Sequence, residues 1–318
     1  MNKIILLFLA GLSFFTLSAQ NRKLPVIDMH VHVYSPHNYW GGSDFVLEDT
    51  ILYSPKNYDE HIKSVVQHMK KHNIVLSYAS GNFEALDSIN RNYPNLFLPS
   101  AEIWPTEKLL TDNTFLNTLK SKIKMGEVVS IGEVANFYTG FKPNDPIMDT
   151  LYRLAESYDL PIGLHFAPGP PGSQLNTYPN ARLEYANPFL LQDVLIKYPK
   201  LRVCMMHAGL PFYEDETFAM LFMFPTNLYV DISALTWYKN YSTVSLTEFL
   251  KKAVDYGFVN RIMFGSDEMT WPGTIGLSVK FIENANYLTE EQKRDIFYNN
   301  AARFLKLDDE TIKNHHNN

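Results

Sequence analysis

The chain has 318 residues, 46% of them hydrophobic and 14% aromatic, a length that suits one large α/β barrel or two average domains. Its 28 basic and 34 acidic residues give a formal net charge of −6 without any basic cluster, which argues against a nucleic-acid partner. Because Cys204 is the single cysteine, an intramolecular disulfide is excluded, and the fold must be stabilised by its apolar core.

The first 19 residues have the composition of a secretory signal peptide. Lys3 precedes an apolar stretch over residues 4–17, and the small residues Ser18 and Ala19 follow it. A membrane anchor is the alternative, but an apolar stretch of this length is shorter than the roughly 20 residues that span a bilayer. We therefore expect cleavage after Ala19, a mature chain over residues 20–318 without a stable membrane anchor, and a periplasmic or secreted location.

Eight short apolar segments along the mature chain predict β-strands. They cover residues 26–32, 74–79, 96–101, 128–134, 162–166, 201–207, 228–233 and 261–267. Strands that alternate with helices in this number predict an α/β fold with one domain, a (β/α)8 TIM barrel over residues 20–318. A doubly wound open sheet is the alternative, but it would usually contain a glycine-rich phosphate-binding turn, which this sequence lacks.

Helical periodicity occupies several of the intervals between these strands. Residues 57–72 and 149–158 both repeat apolar side chains at the spacing of one helix face. A last helix is predicted to begin at Thr289, whose spacing from Gln292 fits a capping box. The histidines of the first helix are expected at the surface: His61, His68 and His72.

The first strand, VIDMHVH, carries two histidines within an apolar run. Because side chains alternate along a strand, Asp28, His30 and His32 share one face, and the apolar residues between them take the other. The polar nitrogens of an imidazole gain nothing from an apolar core, whereas two imidazoles on one face can bind one cation. We therefore expect both histidines to point into the mouth of the barrel.

Other predicted strands also end in side chains of the metal-binding type. Glu133 ends the fourth strand, His165 the fifth, His207 the sixth and Asp267 the eighth. Barrel enzymes carry out their chemistry at the C-terminal ends of the strands, so these residues and the two histidines of the first strand are expected to converge there. Imidazole and carboxylate ligands predict a divalent metal ion, with zinc as the default and manganese, iron or cobalt as alternatives.

Together these motifs resemble those of the amidohydrolase superfamily, in particular its amidohydrolase-related (amidohydrolase 2) group. The similar motifs are DMHVH, GEV, GLHF, MMHAG and FGSD, and the resemblance extends from about residue 25 to residue 307. It implies a (β/α)8 barrel, a metal-dependent enzyme and a small-molecule substrate.

The resemblance divides the six residues between two metal ions. It implies a more buried ion held by His30, His32 and Asp267, and a more exposed ion held by His165 and His207. Glu133 occupies the position of a carboxylate that bridges the two ions. Water acidified by the metal then supplies hydroxide near neutral pH, and Asp267 takes its proton and passes it to the leaving group.

Three classes of function follow from these expectations. The first is a metal-dependent hydrolase of a small-molecule amide, ester or lactone. The second is a lyase of the same superfamily with one metal ion, either a decarboxylase or a hydratase, and the third is a non-catalytic binding role. Arg182, Tyr138 and Asp231 lie at or beyond the ends of predicted strands and are candidate substrate contacts.

Overall fold

The computed structural model describes residues 24–36, 42–47, 50–238 and 243–317. The predicted signal peptide and its cleavage site lie outside these residues. Among the described helices, none is both long enough and apolar enough to cross a membrane.

Ten β-strands form two sheets in the described part of the chain. The strands are β1 (Val26–His32), β2 (Phe45–Leu47), β3 (Thr50–Leu52), β4 (Ile74–Gly81), β5 (Phe97–Ile103), β6 (Ser130–Val134), β7 (Pro161–His165), β8 (Arg202–Met206), β9 (Leu228–Asp231) and β10 (Ile262–Met263). Eight of them form one parallel sheet in the order β1-β4-β5-β6-β7-β8-β9-β10, while β2 and β3 form a separate antiparallel hairpin. The eight predicted strands are therefore the eight strands of the barrel sheet.

The two edges of the large sheet meet through the segment that follows β10. Met29 donates its backbone N–H to the carbonyl of Phe264 at 2.8 Å, and Asp267 donates to the carbonyl of His30 at 2.8 Å. His32 donates to the carbonyl of Glu268 at 2.7 Å. The last strand was expected to run to residue 267, but it is regular only over Ile262–Met263, and the segment beyond it is joined to β1 by separate bonds and not by a regular ladder.

Helices cover the outside of the barrel and connect its strands. They are α1 (Tyr58–Lys71), α2 (Phe83–Asn92), α3 (Glu107–Thr111), α4 (Asn113–Lys124), α5 (Asn136–Thr139), α6 (Asp149–Ser157), α7 (Ser173–Asn176), α8 (Gln192–Lys197), α9 (Glu214–Met223), α10 (Thr243–Tyr256), α11 (Gly273–Glu283), α12 (Glu290–Arg294), α13 (Asn300–Leu305) and α14 (Asp309–Asn317). The helices predicted over residues 57–72 and 149–158 are α1 and α6. Thr289 and Gln292 form the predicted capping box at the start of α12.

The apolar core lies between the sheet and the surrounding helices. On β1, Val31 packs in this core together with Ile62 and Val65 of α1. This side of β1 is therefore occupied by packing, which leaves the opposite face of the strand for His30 and His32. Cys204 is buried in a smaller apolar cluster and unpaired, as expected for a small hydrophobic side chain.

Candidate metal centre

The six predicted ligands converge at the C-terminal mouth of the barrel, although up to 237 positions separate them in the sequence. All of them are buried. Four lie within β1, β6 and β7, and two lie in the segments directly after β8 and β10. The six residues are His30, His32, Glu133, His165, His207 and Asp267.

Glu133 lies between two pairs of histidines. Its Oε2 atom is 3.7 Å from Nε2 of His30 and 3.6 Å from Nε2 of His32. Its Oε1 atom is in contact with Nδ1 of His165 and lies 3.6 Å from Nε2 of His207. Each carboxylate oxygen thus faces a different pair of imidazoles, which is the arrangement that a carboxylate needs to bridge two cations.

Asp267 faces the first of these pairs. Its Oδ1 atom lies 3.1 Å from Nε2 of His32 and 3.5 Å from Nε2 of His30. The carboxylates of Asp267 and Glu133 therefore approach the same two imidazole nitrogens. The structure brings these four side chains together around one point.

The backbone at two of these positions is held in an unusual conformation. His207 and Asp267 have φ angles of 63° and 51°, in the left-handed region that residues other than glycine rarely adopt. The backbone N–H of His207 donates to Oδ1 of Asp231 at 2.9 Å, and that of Asp267 donates to the carbonyl of His30 at 2.8 Å. These bonds stabilise a turn that is costly in isolation, as is common for functional side chains.

Hydrogen bonds on the far side of three rings fix their proton positions. Nδ1 of His30 donates to Oδ2 of Asp231 at 3.1 Å, and Oγ of Ser233 lies 2.8 Å from the same nitrogen. Nδ1 of His207 donates to the carbonyl of Ser233 at 3.1 Å, and Nε2 of His165 donates to the carbonyl of Ala167 at 3.1 Å. The other nitrogen of each ring therefore presents a lone pair towards Glu133, which is how acceptors behind the histidine ligands of metal sites orient those rings.

The spacing of the side chains fits a shared cation better than a hydrogen-bond network. Nε2 of His30 is buried and has no hydrogen-bond partner among the described residues, yet two carboxylate oxygens lie 3.5 and 3.7 Å away. Two ligands at ~2.0–2.2 Å from one ion lie ~2.8–3.6 Å apart in tetrahedral or octahedral geometry. The observed separations are close to that range, so the residues present fit divalent cations.

The charges of the centre are also compatible with bound cations. Burial lowers the pKa of His30, but the carboxylates of Asp267 and Asp231 outweigh it and raise that pKa well above its ordinary range. Burial raises the pKa of Glu133, but the neighbouring histidines hold it well below its ordinary range, and His165 has the largest effect among them. The same competition lowers the pKa of Asp267 to about 2. The carboxylates therefore stay ionised, and the positive charge beside them comes from protonated imidazoles where no cation is bound.

The three candidate substrate contacts are in different environments. Tyr138 lines the cavity above the centre, with its ring 4.5 Å from that of His165. Asp231 is fully buried beneath His30 and is not among the residues that line the cavity, so its contact with a substrate stays a prediction that this position does not favour. Arg182 is exposed outside the cavity, because its guanidinium donates to the carbonyls of Pro179 and Ala181.

A buried ion pair beside the centre was not predicted. His61 and His72 were expected at the surface, but both are buried. Nε2 of His61 lies 3.0 Å from both carboxylate oxygens of Glu268. Its Nδ1 donates to the carbonyl of Tyr34 at 2.9 Å. The signal in the sequence was the position of His61 four residues before Val65, on the buried side of α1.

A cavity of about 180 Å³ opens above the centre. Among the described residues that line it, none is a lysine or an arginine. Five of the six converging side chains reach the cavity, and His30 lies below them. Most of the remaining walls are aromatic: Tyr34, Phe45, Trp104, Tyr138, Tyr178, Trp237, Tyr238 and Trp271.

Comparisons with known proteins agree with this geometry. A family model described as amidohydrolase matches residues 130–307, more than half of the chain. The sequence matches no curated protein.

Solved structures share the fold at low sequence identity. An uncharacterised TIM-barrel protein from Bordetella bronchiseptica is 16% identical, with a TM-score of 0.64 over 89% of this chain and 99% of the other. A probable 2-pyrone-4,6-dicarboxylic acid hydrolase from Acinetobacter baumannii, with citric acid bound, is 19% identical. Its TM-score is 0.61 over 89% of this chain and 100% of the other. A dihydroxybenzoic acid decarboxylase from Polaromonas, with manganese and 2-nitroresorcinol bound, is 16% identical, with a TM-score of 0.58 over 91% and 99%.

Proposed function

The chain belongs to the amidohydrolase family, and we propose that it is a metal-dependent hydrolase that cleaves an amide, ester or lactone bond in a small molecule. The proposal rests on the position of Glu133. The two oxygens of this carboxylate face two separate pairs of imidazoles at the mouth of the barrel. A hydrolase that holds its nucleophile between two cations needs such a bridge.

The described side chains provide two sets of ligands. His30, His32 and Asp267 would hold the deeper cation, and His165 and His207 the outer one, with Glu133 shared between them. We take zinc as the default ion because imidazole and carboxylate ligands suit it. Manganese, which is bound in the similar decarboxylase, as well as iron and cobalt also suit these ligands.

The proposed mechanism assigns a different task to each group. Bound cations would acidify water to a pKa of ~7 and polarise an oxygen of the substrate. Asp267 takes the proton of the attacking water on its carboxylate and then donates it to the leaving group. Its low pKa keeps this carboxylate ionised near neutral pH, before the reaction begins. Asp231 holds His30 in place from below and does not touch the substrate.

A lyase with one metal ion is the second candidate. The observation in its favour is the shared fold of the decarboxylase from Polaromonas. The second pair of histidines weighs against it, because Glu133, His165 and His207 form a group of ligand atoms within 4.8 Å of one another. A lyase that uses only the deeper ion has no need of this group.

Two measurements on the purified wild-type protein separate these functions. Elemental analysis after loading with zinc or manganese is expected to give two ions per chain. Reaction of an ester or lactone in water labelled with ¹⁸O is expected to place one label in the carboxylate product. Protein that never exceeds one ion per chain, together with carbon dioxide release or unlabelled product, would favour the lyase instead.

We also propose that the enzyme acts outside the cytoplasm. The support for this location is the apolar N-terminal segment, with Lys3 before it and Ser18 and Ala19 after it. The presence of a single cysteine is compatible with an oxidising compartment, because an intramolecular disulfide cannot form.

A further inference from the structure

Two groups of aromatic side chains line the cavity from different parts of the barrel. The first aromatic wall consists of Trp104, Tyr138 and Tyr178, which follow β5, β6 and β7 in the chain. The second aromatic wall consists of Phe45, Trp237 and Trp271, which follow β1, β9 and β10.

The topology places these walls opposite each other. The three strands β5, β6 and β7 are consecutive in the sheet. The strands β9, β10 and β1 are also consecutive, because backbone hydrogen bonds join the segment after β10 to β1. In a barrel of eight strands these two sets form opposite arcs of the mouth, with the metal centre on the floor between them.

Each wall is supported by contacts between its own rings. In the first wall, the ring of Tyr138 stacks on Trp104 at 5.6 Å and lies 4.5 Å from Tyr178. In the second wall, Phe45 lies 5.0 Å from the ring of Trp271, and Trp237 lies 6.4 Å from it. The walls therefore do not depend on a ligand for their packing.

The indole N–H groups of the walls are already used within the protein. Trp104 donates to Oε1 of Glu102 at 3.0 Å. Trp237 donates to the carbonyl of Ser266 at 2.6 Å, and Trp271 donates to the carbonyl of Ser43 at 2.9 Å. The three tryptophans can thus offer a ligand ring surface, but not hydrogen-bond donors.

We propose that the cavity binds an uncharged substrate with an aromatic ring, seated between the two walls with its ester or lactone carbonyl on the metal centre. This inference rests on the proposed hydrolase function. In the reaction, the oxygen of water adds to the carbonyl carbon, the bond from that carbon to the leaving oxygen breaks, and a proton from the water passes to the leaving oxygen. A carboxylate on the ring would find no lysine or arginine on the walls among the described residues.

The experiment uses three methyl esters whose reacting carbonyls are alike. They are methyl 3-phenylpropanoate, methyl butanoate, and the derivative of the first ester with a carboxylate at position 4 of its ring. Metal-loaded enzyme is expected to hydrolyse the phenyl ester with a kcat/KM at least about tenfold above either of the others, since an aromatic contact contributes roughly a factor of ten. Equal or lower kcat/KM for the phenyl ester would overturn the proposed substrate class while leaving the hydrolase function intact.

Binding of a ketone that cannot be hydrolysed tests the walls without turnover. Calorimetry is expected to show that 4-phenyl-2-butanone binds at least about tenfold more tightly than 2-pentanone. Binding of the phenyl ketone without hydrolysis of any ester would contradict ester hydrolysis while still supporting the aromatic site. If neither ketone preference nor ester preference is seen, the aromatic site is refuted.

Variants of the first aromatic wall test whether its rings cause the preference for the phenyl ketone. Trp104→Leu and Tyr178→Leu are expected to reduce the preference for the phenyl ketone at least about fivefold. The matched control is Tyr185→Leu, because Tyr185 packs in the same apolar cluster as Tyr178 but does not line the cavity. Circular dichroism and the melting temperature establish that each variant is folded. An unchanged preference in both folded wall variants would contradict the proposal.

Discussion

Asp231 lies directly beneath His30, with its Oδ2 atom 3.1 Å from Nδ1 of the imidazole. The other oxygen of this carboxylate accepts hydrogen bonds from the backbone N–H groups of His207 and Ser233, at 2.9 and 3.1 Å, and from the hydroxyl of Ser233 at 2.6 Å. Asp231 therefore makes contacts with residues from both sets of proposed ligands. This contact sets the proton on Nδ1 of His30 and leaves Nε2 free for a cation.

The first prediction concerns this tautomer. In Asp231→Asn, the amide oxygen is expected to take the place of Oδ1 and accept the same three hydrogen bonds, from the two backbone N–H groups and the hydroxyl. The amide NH2 group then faces Nδ1 of His30. The ring must then carry its proton on Nε2, where it cannot bind a metal ion. We expect metal affinity to fall by ~10–100-fold, the usual effect of losing the carboxylate that orients a histidine ligand.

Competition with a chelator measures this affinity. The matched control is Asp159→Asn, which removes an exposed carboxylate that bonds Lys306 and lies away from the centre. Both variants are expected to fold. Wild-type affinity in Asp231→Asn would show that the carboxylate has no role in orienting His30.

The second prediction concerns export. Secretion of the full chain by a bacterial host is expected to give a mature protein that begins at Gln20, because Ala19 provides a small residue before the cleavage site. Mass spectrometry of the exported material measures the N-terminus directly. Exported protein that still contains residues 1–19 would contradict cleavage, and protein found only in the cytoplasm would contradict export.

The sequence was sufficient to predict that the candidate metal ligands lie close together, and the reason is geometric. A strand alternates its side chains and parallel strands end on one face, so His30 and His165 are placed by their position in the chain alone. The environment of Asp231 depends on distances across the barrel. A carboxylate at a strand end looks the same in the sequence whether it contacts a substrate or a neighbouring imidazole. The sequence also does not reveal that the guanidinium of Arg182 donates to neighbouring backbone carbonyls outside the cavity.

The third prediction concerns the ion pair of His61 and Glu268. Both side chains are fully buried. His61→Leu removes the partner of a buried carboxylate, so the free energy of unfolding is expected to fall by ~3–5 kcal/mol. Replacing both residues by leucine is expected to restore part of this loss, because no unpaired charge remains. Urea denaturation of the two variants and the wild type measures the difference.

The same pair predicts how stability changes with pH. Burial alone would lower the pKa of His61, but the carboxylate of Glu268 reverses this and raises the pKa above its ordinary value of 6.5. A raised pKa means that the protonated imidazole stabilises the folded state below pH 6.5 and that this contribution is lost as the pH rises through the folded pKa. The difference in unfolding free energy between the wild type and the variant with leucine at both positions should therefore shrink at high pH, because neither group of the pair titrates in that variant. A difference that grows with pH would contradict the assigned ion pair.

The fourth prediction concerns Glu133, on which the proposed function depends. Glu133→Gln keeps the volume of the side chain but removes the negative charge between the two pairs of histidines. Two imidazoles leave a tetrahedral site half empty. The repulsion between two cations is also no longer offset by an anion. We expect elemental analysis to give two ions per chain in the wild type and one in the variant, with hydrolysis reduced at least about a hundredfold.

Glu127→Gln is the matched control, because this carboxylate bonds Lys122 away from the centre, and the variant should retain both ions. If Glu133→Gln also retains two ions, Glu133 does not bridge them. If instead the wild type holds one ion and the variant keeps it, the lyase with a single ion becomes the better account of this site.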